Sequence, residues 1–367
     1  MKNMKKVMSL SMAVAMLLSG GIMHVSAGEP LDIMYVAPGS LGDLSMCDNV
    51  MRACEQYVEE NGGSINTFEC ANDTSLYEPS MLDCCGAGEY DLIITGNYNL
   101  VDAVNIAAEQ YPDQKILVYD AEVSYEDGKN QNIISYQAKQ NECAFLAGAL
   151  SALVTSSDEV ELANADKKVG FVGGGENTAI QDFMVGFIEG VNYVDSSIEV
   201  MYSFVGNWTD TALAKELALT QFQQGADVVF AVCGTAGLGV MEAARESNAY
   251  AIACDSDLAT QLKDTNPETA EHIITSAVKD FQTLTYKMLN EVGDGTAEWG
   301  THIMNDYANG GVILIDNEYY QSIVPESVQT EYQAVLEKLA AGEIEIGTAI
   351  GATPEEIDAF KEAAKPF

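Results

Sequence analysis

Short apolar segments alternate with helical patterns along almost the whole chain, and this alternation restricts the fold more than any other feature. The strand-like segments are LDIMYVA (31–37), SINTFEC (64–70), DLIIT (91–95), KILVYD (115–120), NIISYQ (132–137), KKVGFVG (167–173), IEVMYSF (198–204), DVVFAV (227–232), YAIACD (250–255), HIITSAV (272–278) and GVILID (311–316). Most are apolar in runs rather than at every second position. Such strands need cover on both faces, which parallel sheets flanked by helices provide. Gly62-Gly63 predicts the end of the first helix, and Gly225 precedes the strand at 227.

These strands are too many for one comfortable sheet. A strand–helix series runs twice, over 31–120 and again over 167–255. The expectation is an α/β protein of two lobes, with the segment after 272 completing both through further crossings. A chain of 367 residues, 47% apolar, has room for two such cores. No low-complexity linker parts the halves, so the hinge is expected to be made of crossing strands rather than a tether. The stretch VQTEYQAVLEKLAAGEIEIG reads as a terminal helix with a short extension.

The N-terminus reads as an export signal. Lys2, Lys5 and Lys6 give the positive end and VMSLSMAVAMLL the apolar region. Val25-Ser26-Ala27 offers a small-x-small cleavage site before Gly28. Leu18-Ser19-Gly20-Gly21 resembles a lipoprotein box, with Gly21 where the lipidated cysteine should stand. Cleavage after Ala27 and release to the cell surface or periplasm is the expectation, with membrane association left open.

Charge narrows the partners. The formal net charge is −39, and loss of the three leader lysines takes it to −42. Nucleic acid and anionic membrane surfaces are repelled by such a chain. A neutral or cationic ligand suits it.

The cysteines, Cys47, Cys54, Cys70, Cys84, Cys85, Cys143, Cys233 and Cys254, form no Cys-x-x-Cys pair, and only His272 and His302 follow the leader. A structural zinc site is poorly supported, and no metal or cofactor is expected. Most of these cysteines sit in apolar segments and read as small buried hydrophobes.

Gly-rich turns carry no nucleotide signature. VGFVGGGENTA has Gly173 and Gly175 but Thr178 where a dinucleotide fingerprint needs its third glycine, and no P-loop follows. No Gly-x-Ser-x-Gly elbow is present. Cys47 lies between Asp43 and Asp48, whose charges disfavour a thiolate. No catalytic constellation emerges, so a non-enzyme is expected.

Position is more informative. Open α/β sheets bind ligands beyond the carboxyl ends of their strands. Polar residues gather there: Asp43 after the first strand, Asp120, Asn207, Trp208 and Asp210 after IEVMYSF, Asp255 ending YAIACD, and Lys279. Each has a structural alternative, since Asp43, Asp210 and Asp255 could cap helices and Lys279 could be a surface lysine. Together they describe a cleft with acceptor carboxylates, one cation and an aromatic face.

From about residue 31 to 350 the chain resembles the basic membrane protein family, the substrate-binding proteins of nucleoside ABC transporters. The segments that carry the resemblance are NECAFLAGALSAL, KKVGFVGGGENTAIQDFMVGFIEGV, GNWTDTALAKELA, QGADVVFAVCGTAGLGVMEAARE, YAIACDSDL and IITSAVKD. It implies two Rossmann-like lobes of the type I periplasmic-binding-protein fold, closing on a ligand between them. It also implies an ABC permease and ATPase as partners, and a monomer. By motif, Trp208 would stack on a purine base and Asp120 would face that base. Gly234 would let backbone approach the ligand. Asp255 would accept from two ribose hydroxyls, and Lys279 would donate to the ribose and hold Asp255 ionised.

The family commonly reads Gly-Asp-x-Ser-Phe-Asn where this chain has Gly42-Asp43-Leu44-Ser45-Met46-Cys47. Asp43 and Ser45 keep the turn chemistry. Met46 stands for the stacking Phe and Cys47 for an amide. A sugar or other hydroxylated solute, or a sensing role without transport, therefore stays open beside a purine nucleoside. The expected division is a signal at 1–27, lobe I at 28–137 and 277–298, lobe II at 138–276 and 299–350, and a tail at 351–367.

Overall fold

The computed structural model describes residues 28–364; the expected signal at 1–27 lies outside them. The first half runs β1 (Leu31–Ala37), α1 (Met46–Asn61), β2 (Gly63–Glu69), α2 (Tyr77–Ala87), β3 (Leu92–Gly96), α3 (Val101–Gln110), β4 (Lys115–Tyr119) and β5 (Ile133–Ala138). The second runs α4 (Gln140–Thr155), β6 (Lys168–Gly173), α5 (Thr178–Asp195), β7 (Glu199–Phe204), α6 (Thr211–Gln223), β8 (Ala226–Val232), α7 (Gly237–Ser247), β9 (Tyr250–Cys254), α8 (Leu258–Leu262), α9 (Pro267–Ala270) and β10 (Ile273–Lys279). The chain ends with α10 (Phe281–Gly293), β11 (Thr301–Asn305), β12 (Val312–Leu314), α11 (Glu318–Ile323), α12 (Glu326–Ala340) and α13 (Pro354–Ala363).

Two six-stranded sheets result, ordered β11-β5-β4-β3-β1-β2 and β12-β10-β9-β8-β6-β7. All pairs are parallel except β10 with β12. The α/β architecture of two lobes joined by crossovers is therefore as expected. The central strands are buried on both faces, which is why they are apolar in runs.

The cover is close-packed. In lobe II, α4 lies against α5 with almost no side chain between them. A Cβ at Gly148 would come 2.2 Å from the Phe187 carbonyl oxygen, and one at Gly190 would come 2.1 Å from that of Phe145. The small residues of NECAFLAGALSAL and GFIEGV are thus explained by helix contact. In lobe I a buried aromatic row binds α10 to the sheet: Tyr119 to Phe281 at 5.7 Å between centroids, and Phe281 to Tyr136 at 6.1 Å. The Tyr136 hydroxyl also meets the Thr285 hydroxyl at 2.7 Å.

Strand pairing moves the expected lobe boundaries. Ala277, Val278 and Lys279 belong to β10 in the second sheet, not to lobe I. Thr301–Asn305 pairs with Ile134–Ala138 in the first sheet, so 299–305 does not belong with lobe II. THIMN had no strand signal because β11 is an edge strand, mostly half-covered, and carries polar residues. The chain crosses at Lys139, at Asp280 and over 306–311, and these crossings are tied together. Lys139 N donates to the Asn305 carbonyl at 2.8 Å, and Asp280 N to that of Gly311 at 3.1 Å. The expected tail carries α13, which packs on α5. Just before it, Asp182 of α5 accepts from Thr348 Oγ1 at 2.6 Å and Ala349 N at 2.8 Å.

Among the described residues no helix is long and apolar enough to cross a membrane, and no cluster of metal-ligating side chains occurs. All eight cysteines are free, and all but the half-buried Cys254 are buried.

Candidate functional site

A cavity of about 180 Å³ lies where the carboxyl ends of the two sheets face each other. Its walls include Asp43 and Ser45 from the turn after β1, Met46 and Cys47 at the start of α1, Asp120 after β4, Trp208 after β7, Gly234 after β8, Asp255 after β9, and Lys279 at the end of β10; Asn207 and Asp210 are not among them.

One local device recurs. Asn97, Asp120 and Asp255 each follow directly on a strand, and each has a left-handed backbone, with φ of 76°, 53° and 67°. Short polar side chains tolerate that conformation better than others. The left-handed residue ends the strand, and all three residues line the cleft.

The turn 39–49 is fixed by its own carboxylates. Asp43 accepts from Ser45 N at 2.9 Å and Cys47 N at 3.1 Å, satisfying amides at the start of α1. Asp48 accepts from Gly42 N at 2.7 Å and Leu44 N at 3.0 Å. Cys47 packs against the lobe I core, and burial, followed by the charge of Asp43, pushes its thiol up to about 12. At neutral pH it is an inert thiol.

Charge is concentrated at the floor. Lys279 is buried, and its Nζ lies 2.8 Å from Asp120 Oδ1, a contact between lobes. Its Nζ is also 5.4 Å from the Phe183 ring centroid and 5.5 Å from that of Phe281. Burial pulls the ammonium's pKa down, but Asp120 and Asp255 outweigh it and hold the pKa above its ordinary value. The lysine is therefore charged. Asp255 is held above the usual carboxylate range by burial, against the pull of Lys279. Its Oδ2 takes a long 3.4 Å bond from Ser45 Oγ, and its Oδ1 is sequestered without a hydrogen-bond partner. The hydrogen-bonded ion pair is with Asp120, because the strand-end turn after β4 brings Asp120 Oδ1 to the lysine, while the charge of Lys279 also favours the ionised form of Asp255.

Trp208 is 36% exposed, and its ring rests on Gly174, where a Cβ would come 2.4 Å from Cζ3. Gly234 has φ +59° and packs behind the same indole. The site also holds residues the sequence reading missed. Tyr98, 42% exposed, faces the cleft from lobe I, and Asn97, Asn177 and Phe183 line it. The strand-end rule, applied to DLIIT, would have found Asn97 and Tyr98. Nothing in the sequence marks Phe183, a buried position on α5. Asn207 and Asp210 stay local. Asn207 accepts from Thr209 N and Asp210 N, and Asp210 caps α6 through Leu213 N.

The arrangement offers flat aromatic surface, acceptor oxygens and one fixed cation, and it offers no activated nucleophile. His272 and His302 do not line it.

A family model described as "ABC transporter substrate-binding protein PnrA-like" matches residues 31–348. A nucleoside-binding protein of an ABC transporter from Lactococcus lactis, BmpA, is 26% identical over 291 residues, covering 76% of this chain and 79% of its own. Basic membrane protein A of Borreliella burgdorferi is 24% identical over 312 residues, covering 84% of each chain. Among solved structures, an ABC-transporter solute-binding protein from Aeropyrum pernix superposes with a TM-score of 0.78 at 21% identity, over 91% of this chain and 98% of its own. A periplasmic binding protein from Alkaliphilus metalliredigens in complex with D-xylulofuranose gives 0.55 at 14% identity, over 78% and 97%. The last two show likeness of fold.

Proposed function

The chain belongs to the family of PnrA-like ABC transporter substrate-binding proteins, and from that premise we propose that it is an exported binding protein that closes on a nucleoside, a purine nucleoside in preference, and delivers it to an ABC permease and its ATPase. The observation that carries this is the cleft itself. An exposed aromatic residue comes from each lobe, Tyr98 and Trp208, and the floor holds an unpartnered carboxylate oxygen beside a buried lysine. A flat base needs π faces, and a vicinal diol needs an acceptor carboxylate. Tyr98 supplies from the end of β3 the ring that Met46 does not supply from the turn after β1. Asp120 accepts from N–H groups of the base, Asp255 accepts the ribose hydroxyls, and Lys279 donates to them. Closure excludes water and strengthens each polar contact.

Charge selects within the class. Asp43, Asp120 and Asp255 face the cleft against one lysine, so a phosphorylated ligand meets repulsion that a neutral nucleoside does not. The protein acts as a monomer at the outer face of the membrane.

Isothermal titration of the mature protein with guanosine, inosine, adenosine and uridine, beside guanosine 5′-monophosphate and D-xylose, tests this. Binding of purine nucleosides with rejection of the monophosphate is expected. Binding of D-xylose alone would overturn the nucleoside assignment while leaving solute binding intact.

A further inference from the structure

Asp255 is held from the opposite lobe by residues that do not line the cleft. Asn49, buried on the first turn of α1, donates from Nδ2 to the Asp255 carbonyl oxygen at 2.6 Å. Arg52, on the next turn, donates from Nη2 to Asn49 Oδ1. Its Nε donates to Gln282 Oε1 on α10 at 3.2 Å. A guanidinium has only donors, so it fixes the Asn49 amide with its oxygen toward Arg52 and its N–H₂ toward Asp255. Beside this run, Ser256 Oγ donates to the Leu44 carbonyl and Ser45 Oγ reaches Asp255 Oδ2 at 3.4 Å. All three bonds to β9's end join lobe I to lobe II, so lobe opening has to break them.

We infer that Asn49, oriented by Arg52 and Gln282, is a positioning residue that locks Asp255 in its left-handed turn when the lobes close, and so sets how long the ligand stays. This rests on the reading of Asp255 as a ligand acceptor. Ligand enters the open form, in which the Asn49 bond is absent, so entry does not depend on it. Exit requires opening, so exit does.

Stopped-flow fluorescence with guanosine, read from Trp208, separates the two rates. Asn49→Ala is expected to raise the dissociation rate about tenfold, the worth of one such bond, and to leave the association rate within about twofold. Asn49→Asp is the decisive variant. It is nearly isosteric and keeps the bond to Arg52, but it cannot donate to the Asp255 carbonyl and sets an acceptor oxygen against it, so its dissociation rate should rise at least as much as that of Asn49→Ala. A wild-type dissociation rate in Asn49→Asp, or equal changes in both rates, overturns the inference. If the unmodified protein binds no nucleoside, the ligand reading fails by itself. The lock is then read without ligand, by hydrogen–deuterium exchange of the peptide 253–260. Faster exchange in both variants supports it, and unchanged exchange overturns it.

Discussion

Replacing Lys279 by methionine removes the cation from a buried interlobe pair and leaves its apolar neighbours, the rings of Phe183 and Phe281, in contact with a side chain of similar length. Side-chain exposure is 5% for Lys279 and 13% for Asp120, with 2.8 Å between the charged atoms. At an effective dielectric constant of about 20, that separation corresponds to an attraction of about 6 kcal/mol before desolvation. Removing one partner of such a pair costs about 3–5 kcal/mol, because the remaining charge stays buried. An unfolding entropy of about 2.1 cal/mol/K per residue gives about 0.7 kcal/mol/K for this chain, so Tm should fall by about 4–7 °C at pH 7.

The pH dependence has a definite sign. The raised pKa of Lys279 contributes stability that is present below its unfolded value and is lost only as pH rises through the folded one, far above neutrality. In Lys279→Met, Asp255 loses the cation that pulls its pKa down, so its folded pKa, already raised by burial, rises further. Its penalty is then present at neutral pH and disappears as that carboxylate protonates, so the deficit against wild type should shrink between pH 7 and pH 4. Asp120→Asn in the Lys279→Met background should recover part of the loss at pH 7. Differential scanning fluorimetry across that range reads all three proteins. Equal Tm for wild type and Lys279→Met, or a deficit independent of pH and unrelieved by Asp120→Asn, would refute the reasoning.

Trp208→Ala and Tyr98→Ala should each weaken purine nucleoside binding by about 1–3 kcal/mol, roughly 5- to 150-fold in Kd, while Tyr98→Phe stays near wild type by calorimetry. Gly174→Ala places a methyl 2.4 Å from Trp208 Cζ3 and should lower affinity about tenfold through displacement of the ring, visible as a shifted tryptophan emission. Asp227 is buried on β8, accepts from Asn164 N at 2.8 Å through Oδ2, and has no hydrogen-bond partner on Oδ1; burial pushes it up to about 6. Its contribution is thus present below the ordinary carboxylate pKa and lost as pH rises through about 6. Asp227→Asn should gain roughly 3 kcal/mol on wild type at pH 7.5 and nothing at pH 4, by urea denaturation.

The sequence by itself determined eleven of the twelve strands and the helical stretches between most of them, because hydrophobic periodicity and glycine stops act over a few residues. It marked the polar strand ends for the same reason: a residue directly after an apolar strand points to the ligand edge wherever that strand lies. Asp43, Asp120, Trp208, Asp255 and Lys279 were found that way and converge on one cavity. Tertiary structure decided what separation in the chain conceals. THIMN joins the first sheet only because β5 offers it an edge, a pairing across more than a whole lobe of sequence. Lys279 takes Asp120, 159 residues away, rather than Asp255. Asn49 reaches Asp255 across 206 residues. Local pattern carries no term for such pairs, and they form because folding two lobes onto one hinge brings their strand ends together.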